Sequence, residues 1–401
     1  MKIGFLNNRL SLEAKIIAFI LMALLLFDRG FSKMVIVGPV YAHDLLLLVA
    51  TIVTILKINT KIYFPSLLLF IIISILYLIY SIFFVDSGRG GFLMVFRHYF
   101  LFFYLICCYI IFNKIFSKRE NIDIGINFII KIAKWSFVLQ LCYFIYLFIT
   151  VPNYSPLVGF SYFSAVGVMG IITYGAYILV YFNGLKRIVI FTIVLFVSMF
   201  LGHASSFFSL IAVFLVQFYI SFTSKQRLIT FFLVLVFMLI LLQLPQFNDG
   251  NANWRLMYWS YIINNAIVEN YLILGNGFGR PFMSMSFAQQ ILDEIGSFNM
   301  LGNNNPLVRW ESPPHNSFLT IIFHIGLIPA MLLLFPIKSL FKQILLQNKS
   351  KDKKKLFLLY CLVGSVVWAS FNVVLELPHS AVYFWLIYFT YAFYERKQTK
   401  I

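Results

Sequence analysis

Apolar runs long enough to cross a bilayer recur along the whole chain, and no other feature so narrows what it can fold into. In hydrocarbon every backbone N–H and C=O must be satisfied within the protein, which leaves helices or a closed barrel. A run of about 17–25 apolar residues suits a helix and is roughly twice what a barrel strand requires. Twelve such runs can be marked, at 16–34, 40–57, 64–84, 92–116, 126–150, 160–182, 185–201, 203–221, 228–244, 315–337, 355–373 and 379–394. The 47 phenylalanines alone outnumber the 31 Lys and Arg plus 14 Asp and Glu residues. A soluble globule could not hide that much apolar surface. The expected fold is therefore an all-α, polytopic integral membrane protein, a single transmembrane domain over 1–401 with about twelve spans. A miscount at the first span, or at the short pair 185–201 and 203–221, would make the number ten. The first run lacks a small-residue cleavage site and reads as a retained helix. Cys107, Cys108, Cys142 and Cys361 all fall inside runs and are expected to pack as small apolar residues.

Charge orients these spans. Basic residues cluster at Lys2, Arg9 and Lys15, at Lys57 and Lys61, from Lys114 to Arg119, at Lys186-Arg187, from Lys225 to Arg227, from Lys338 to Lys355, and from Arg396 to Lys400. Twelve spans with both termini cytoplasmic put each of these clusters on one side, as the positive-inside rule requires. The net charge of +17 does not imply nucleic acid, because the basic residues flank spans and have no folded basic face. Anionic inner-leaflet lipid is the simpler partner. All but seven of the 31 Lys and Arg residues obey this pattern. The exceptions, Arg29, Lys33, Arg89, Arg97, Arg255, Arg280 and Arg309, lie on or near the other face. Cations kept from the favoured side suit a polyanionic head group at the outer surface.

Three of these arginines belong to one hydrophilic loop, 245–314, between the ninth and tenth spans. From Trp254 to Ile273 the apolar residues Met257, Tyr258, Tyr261, Ile262, Ala266 and Ile273 recur every three to four positions, with Asn251 or Asn253 as cap. The pattern predicts a helix lying in the membrane interface, with Trp254 and Trp259 at head-group depth. Leu274-Gly275-Asn276-Gly277-Phe278-Gly279 ends it. That run lacks the strand and helix of a dinucleotide-binding unit. It reads either as a turn needing positive φ or as a backbone nest facing an anion. Beyond it, 280–314 is mixed, with Asn303 to Pro306 forming a turn or a mobile cover.

Arg255 can be read as an interfacial arginine among belt tryptophans, or as a guanidinium fork that grips two phosphate oxygens. Arg280 and Arg309 share its loop, and Arg89 and Arg97 stand at the outer mouth of the fourth span. Several arginines converging would suit a diphosphate. His315 follows Pro313-Pro314 and heads the tenth span at the level where bilayer meets water. An imidazole there can take a proton from a hydroxyl nucleophile near neutral pH; equally, His315 and Asn316 could cap the helix. His43, His98, His203, His324 and His379 are scattered over different spans, and no Cys/His/Asp set has metal-ligand spacing. Neither metal nor cofactor is expected. Asp44 and Glu376 stand in apolar surroundings, where pairing with a neighbour or lining the bundle is the expected role.

Three stretches carry a resemblance. They are Trp254-Arg255 with Trp259 leading to the glycine run; Pro314-His315-Asn316-Ser317-Phe318-Leu319 followed by Gly326-Leu327-Ile328-Pro329; and Glu376-Leu377-Pro378 ahead of Phe384-Trp385. With Gly38-Pro39-Val40-Tyr41-Ala42-His43-Asp44, their order and spacing resemble the O-antigen polymerase and ligase-like membrane glycosyltransferases that handle polyprenyl-diphosphate-linked glycans. The resemblance implies a lipid-carrier glycosyltransferase fold that works without metal or nucleotide sugar. It also implies Arg255 at the diphosphate and His315 as base toward an acceptor sugar hydroxyl. Arg309, Arg280, Arg97, Arg89, His203, Asn316, Trp254 and Trp259 would complete the diphosphate or glycan site. One departure stands out. Where such proteins carry a Ser-Arg pair in a middle span, this chain reads Gly202-His203-Ala204-Ser205-Ser206-Phe207, so His203, Arg89 or Arg97 would supply the charge.

The function this implies is polymerisation of undecaprenyl-diphosphate-linked repeat units into O-antigen or a related surface polysaccharide, at the periplasmic face of the bacterial inner membrane. The implied partners are the carrier-linked glycans and membrane lipids, with a chain-length regulator and a flippase alongside. An O-antigen ligase would use the same donor on a lipid A core acceptor. A polysaccharide flippase or exporter would need cationic residues lining a path through the bilayer instead, and a scaffold would need none of this chemistry.

Overall fold

The computed structural model describes residues 11–37, 40–57, 63–88, 91–155, 162–201, 204–221, 250–295, 308–346 and 352–398. Among them the fold is all-α apart from one two-stranded antiparallel ribbon, Val35–Val37 with Val40–Tyr41. Every apolar run except 228–244, which lies outside the described residues, is helical. Among the described residues five helical segments are long and apolar enough to cross a membrane: Pro65–Phe84, Gly91–Ile115, Arg119–Thr150, Leu327–Leu345 and Lys353–Phe371. Ala42–Ile55, Ala165–Tyr181 and Ser205–Ile220 are shorter apolar helices.

The outer helices turn large apolar side chains away from the protein. Leu69, Ile72, Leu76, Ile79 and Phe83 are exposed along Pro65–Phe84, and Val138, Ile145, Phe148 and Ile149 along Arg119–Thr150. Exposed apolar faces of this extent call for lipid rather than water. The inner helices are apolar all round, as burial in a bundle requires. Ala165–Tyr181 packs against Arg119–Thr150, Lys353–Phe371 and Ala204–Ser221, and Pro378–Gln398 is buried along nearly its whole length. Small residues permit the closest approaches. A Cβ on Gly170 would sit 1.9 Å from Ser136 Oγ, and one on Gly364 would sit 2.5 Å from Ile172.

The helix ends gather into two sets. At one end Lys114 meets Glu13 at 3.3 Å, Lys354 meets Asp123 at 2.7 Å and Lys355 meets Glu395 at 2.8 Å. At the other, Arg29 donates to Tyr162 Oη at 3.0 Å, Ala165 N–H donates to Asp28 Oδ1 at 3.0 Å and Arg97 pairs with Glu311 at 3.0 Å. Within Gly91–Ile115, Arg97 lies near the start and Lys114 at the end, so these two sets of contacts mark opposite ends of that helix.

In two runs the helix ends or breaks inside the apolar stretch. The first helix is Leu12–Phe27 and stops short of 34. Asp28 takes φ 40° and its carboxylate turns to the start of the Ala165–Tyr181 helix, so the chain bends there. The run 315–337 is broken at Gly326 into Ser317–Ile325, Leu327–Met331 and a 3-10 turn, Leu332–Ile337, around Pro336.

The loop after the ninth run folds as a small core of its own. Gly250–Val268 is a helix whose Trp254, Tyr258, Ile262 and Ala266, four residues apart, are buried against Phe282, Phe287, Ile291 and Phe323. Trp254 is thus a core residue of the loop and not a head-group anchor. Met285–Ile295 is a second helix that the mixed composition of 280–314 did not announce; Asn303 to Pro306 lie outside the described residues. Gly275, Gly277 and Gly279 take φ of 77°, 80° and 86°, as the turn reading requires. The nest reading fails here, because the amides point inward. Asn276 and Gly277 donate to Phe323 O and His324 O at 2.7 and 2.9 Å, Phe278 to Ser81 Oγ at 2.7 Å and Gly279 to His98 Nδ1 at 3.1 Å. The run thereby caps the carbonyls left open where the Ser317–Ile325 helix ends.

Gly326, at φ 83°, and Gly275 approach each other through bare backbone. A Cβ would lie 2.1 Å from Ile273 O at Gly326 and 2.5 Å from Gly326 N at Gly275. Gly326→Ala is expected to destabilise the protein by about 3 kcal/mol or more. Gly30→Ala, where nothing lies within 4 Å, is expected to leave it unchanged, and thermal unfolding in detergent compares the two.

Candidate functional site

A cavity of about 320 Å³ opens at the arginine-bearing end, between the helix ends and the folded loop. Its wall combines Arg29, Arg97, His98, His315, Glu376 and His379 with the aromatic rings of Phe282, Trp310 and Trp368. These residues come from well-separated parts of the chain, so packing brings them together and no local motif could.

His315 reaches the wall from a strained turn. Its N–H donates to Pro313 O at 2.7 Å and its φ is 50°, in the left-handed region that costs a non-glycine residue about 1–2 kcal/mol. Asn316, not His315, caps the following helix: Asn316 Oδ1 accepts from Phe318 N–H and Leu319 N–H, both at 3.1 Å. The histidine ring packs edge-on against Trp254 with centroids 4.9 Å apart. Capping therefore does not explain His315.

Ser317 organises the floor. Its Oγ accepts the N–H groups of Val374 and Leu375 at 2.9 and 3.1 Å and lies 2.5 Å from Glu376 Oε2 and 3.1 Å from Asn372 O. Burial pushes the Glu376 carboxyl above its ordinary range, against the bond from Ser317 that favours its charge. Asn372 Nδ2 donates to Ser205 Oγ at 2.6 Å, which ties the floor to the Ala204–Ser221 helix.

Two histidines tie the glycine run to this wall. His98 Nδ1 accepts from Gly279 N–H, so its Nε2 carries the proton and donates to Trp310 O at 2.8 Å. Trp310 Nε1 returns a bond to Gly279 O at 2.9 Å. His324 faces a carbonyl, Gly277 O, at 3.0 Å from Nδ1, which places its proton on Nδ1. Asp44, the other carboxylate in apolar surroundings, is paired: it sits 2.9 Å from His43 Nε2 and accepts from Tyr104 Oη at 2.9 Å and Tyr41 N–H at 3.1 Å.

The arginines expected to converge do so only in part. Arg97 lines the cavity and pairs with Glu311, an exposed pair worth little to stability. Arg255 lies outside the wall, its guanidinium 5.6 Å from the Trp254 ring that packs on His315. Arg309 Nε donates to Met283 O at 2.8 Å, and exposed Arg280 donates to Asn276 Oδ1 at 2.9 Å; both brace the loop. Trp259 donates to Pro314 O at 2.6 Å and steadies the approach to His315. Arg89 and His203 lie outside the described residues. Arg29, His98, His324, Glu376, His379 and Trp368 were not singled out for the site. Arg29 carried a signal, as a cation set apart from the basic clusters; the histidines carried none, because their convergence is purely tertiary.

Among the described residues no group of three or more His, Cys, Asp or Glu side chains is placed to hold a metal ion. Compared with known proteins, the chain matches no family model and no curated sequence.

Ser317→Ala would leave two buried N–H groups without an acceptor, which costs about 1–3 kcal/mol each. The variant is expected to unfold at clearly lower temperature than the wild type, whereas Ser317→Thr, which keeps the hydroxyl, should recover much of the loss.

Proposed function

We propose that the protein is a membrane glycosyltransferase that lengthens a glycan carried on undecaprenyl diphosphate. It works at the periplasmic face of the bacterial inner membrane, with both termini cytoplasmic and the folded loop outside. The observation that carries this reading is the cavity beneath the loop, where the His315 imidazole, two guanidinium groups and aromatic rings meet at the Arg97 end of Gly91–Ile115. The motifs shared with the polymerase and ligase-like glycosyltransferases support the same reading.

In this scheme the donor is the growing glycan on its carrier and the acceptor is a hydroxyl of the next carrier-linked repeat. His315 takes the hydroxyl proton as the oxygen bonds to the anomeric carbon. The bond from that carbon to the diphosphate oxygen breaks with its electron pair, and the carrier diphosphate departs with one more negative charge. Arg97 and Arg29 are the cavity guanidinium groups that meet that charge, where fixed donors contribute most. Arg255 acts from beside Trp254. One displacement inverts the anomeric configuration, and the donor brings its own leaving group, so no nucleotide sugar is needed. The loop core covers the glycan and limits water as a competing acceptor.

His315→Ala is expected to reduce chain extension by about 10²–10⁴-fold while the protein remains folded in the membrane. Normal-length polymer would remove the base assignment. Purified protein in lipid, given only a carrier-linked repeat unit, should form longer glycans without an energy source; unchanged length would favour transport or scaffolding. Deletion of the gene should leave surface lipid with a single repeat unit, whereas full-length glycan stranded on the carrier would make the protein a ligase. Arg97→Lys should lose most activity because the bidentate fork goes although the charge stays. Arg255→Lys should do the same only if Arg255 contacts the diphosphate directly.

A further inference from the structure

Three buried polar atoms on residues that line the cavity make no hydrogen bond among the described residues: Trp368 Nε1, His324 Nε2 and Glu376 Oε1. They come from three separate elements, the Lys353–Phe371 helix, the Ser317–Ile325 helix and the segment that follows Phe371. A buried polar atom left unpaired costs about 1–3 kcal/mol, and folded interiors hold few of them. Three on one wall point to an occupant that pairs with them.

Their chemistry restricts that occupant. Indole N–H can only donate. His324 has its proton on Nδ1, held by Gly277 O, so Nε2 presents a lone pair. Glu376 gives Oε2 to Ser317, which leaves Oε1 as an acceptor. A partner must therefore accept at one point and donate at two. A phosphate oxygen cannot donate to His324 and Glu376, a metal ion cannot accept from Trp368, and hydrocarbon can do neither. A hydroxyl group does both through one oxygen. The rings of Phe282 and Trp310 on the same wall offer apolar faces for C–H groups.

We propose that Trp368, His324 and Glu376 form a sugar subsite, in which the hydroxyls of one residue of the acceptor glycan accept from Trp368 Nε1 and donate to His324 Nε2 and Glu376 Oε1. The assignment rests on the glycosyltransferase reading and gives it a place for the acceptor, apart from His315 and the arginines. It also gives the glycine run a chemical role: Gly277 O fixes the tautomer that makes His324 an acceptor.

The probe is the repeat-unit oligosaccharide released from the producing cell's own carrier by mild acid, titrated onto the full-length protein in lipid nanodiscs and followed by saturation-transfer NMR. Trp368→Phe removes the N–H and keeps most of the ring. His324→Asn keeps a donor for Gly277 O and removes Nε2. Each is expected to weaken oligosaccharide binding about tenfold, the worth of one hydrogen bond to a bound ligand, and to raise the acceptor KM by a similar factor with kcat less affected. Trp368→Phe should also melt at or above the wild-type temperature, because it deletes an unpaired donor; a purely structural role for the indole predicts the opposite. Binding equal to wild type in both variants, or no binding to the wild type, would overturn the subsite and leave the wall holding water only. Chain extension by the wild type with unchanged acceptor KM in the variants would overturn the subsite but not the glycosyltransferase. Binding lost in the variants, with no extension by the wild type, would overturn the glycosyltransferase but not the subsite.

Discussion

The Arg97 end of the bundle hangs on a contact between two stretches of bare backbone. At Gly326 the helix that starts at Ser317 breaks, and its last carbonyls would face hydrocarbon or protein with nothing to bind. The chain from Leu272 to Gly277 supplies the missing partners, with Leu327 N–H donating to Leu272 O at 2.8 Å and Asn276 and Gly277 capping Phe323 and His324. Burial makes such pairing obligatory. No side chain fits between Gly275 and Gly326. From that contact the rest follows: Gly277 orients His324, Gly279 orients His98, and His98 and Trp310 hold the stretch that leads to His315.

Electrostatics divides the molecule along its long axis. At the Lys-rich end carboxylates answer several of the basic residues, including Glu13, which is fully buried beside Lys114. At the other end Arg29 has a tyrosine hydroxyl and Arg97 one carboxylate at the surface. Arg97 is therefore held weakly and can turn to a stronger anion at little cost, since an exposed pair contributes about 0–1 kcal/mol. A fully desolvated pair such as that of Glu13 could not be reassigned so readily.

Much of the helical architecture was legible because lipid imposes a simple code: an apolar run of sufficient length marks a helix. The helices at 64–84, 92–116 and 355–373 fall within a few residues of their apolar runs. What the code missed has physical reasons. Asp28 ends the first helix through a bond to a residue more than a hundred positions away. Gly326 breaks a run whose hydropathy is continuous, because the break is stabilised by a partner strand of chain and not by local composition. The period of four from Trp254 to Ala266 was visible, but periodicity shows that a face is buried and not what buries it; here the cover is Met285–Ile295 and Phe282, not lipid. The site was legible where a residue broke a rule, as Arg97 and His315 did. It was illegible where ordinary residues such as Trp368 and His324 became special only through what surrounds them.

The helix Pro378–Gln398 lies at the centre of the bundle, yet it follows every other described helix in the chain. Its neighbours therefore enclose a slot that this helix fills, and their inward faces are covered only once it is in place. Tyr383 reaches Thr173, and Tyr388 donates to Leu333 O at 2.5 Å, only after that segment arrives. His379 and Ser380 complete the cavity wall in the same step. Docking of this helix thus closes the bundle and completes the cavity wall together.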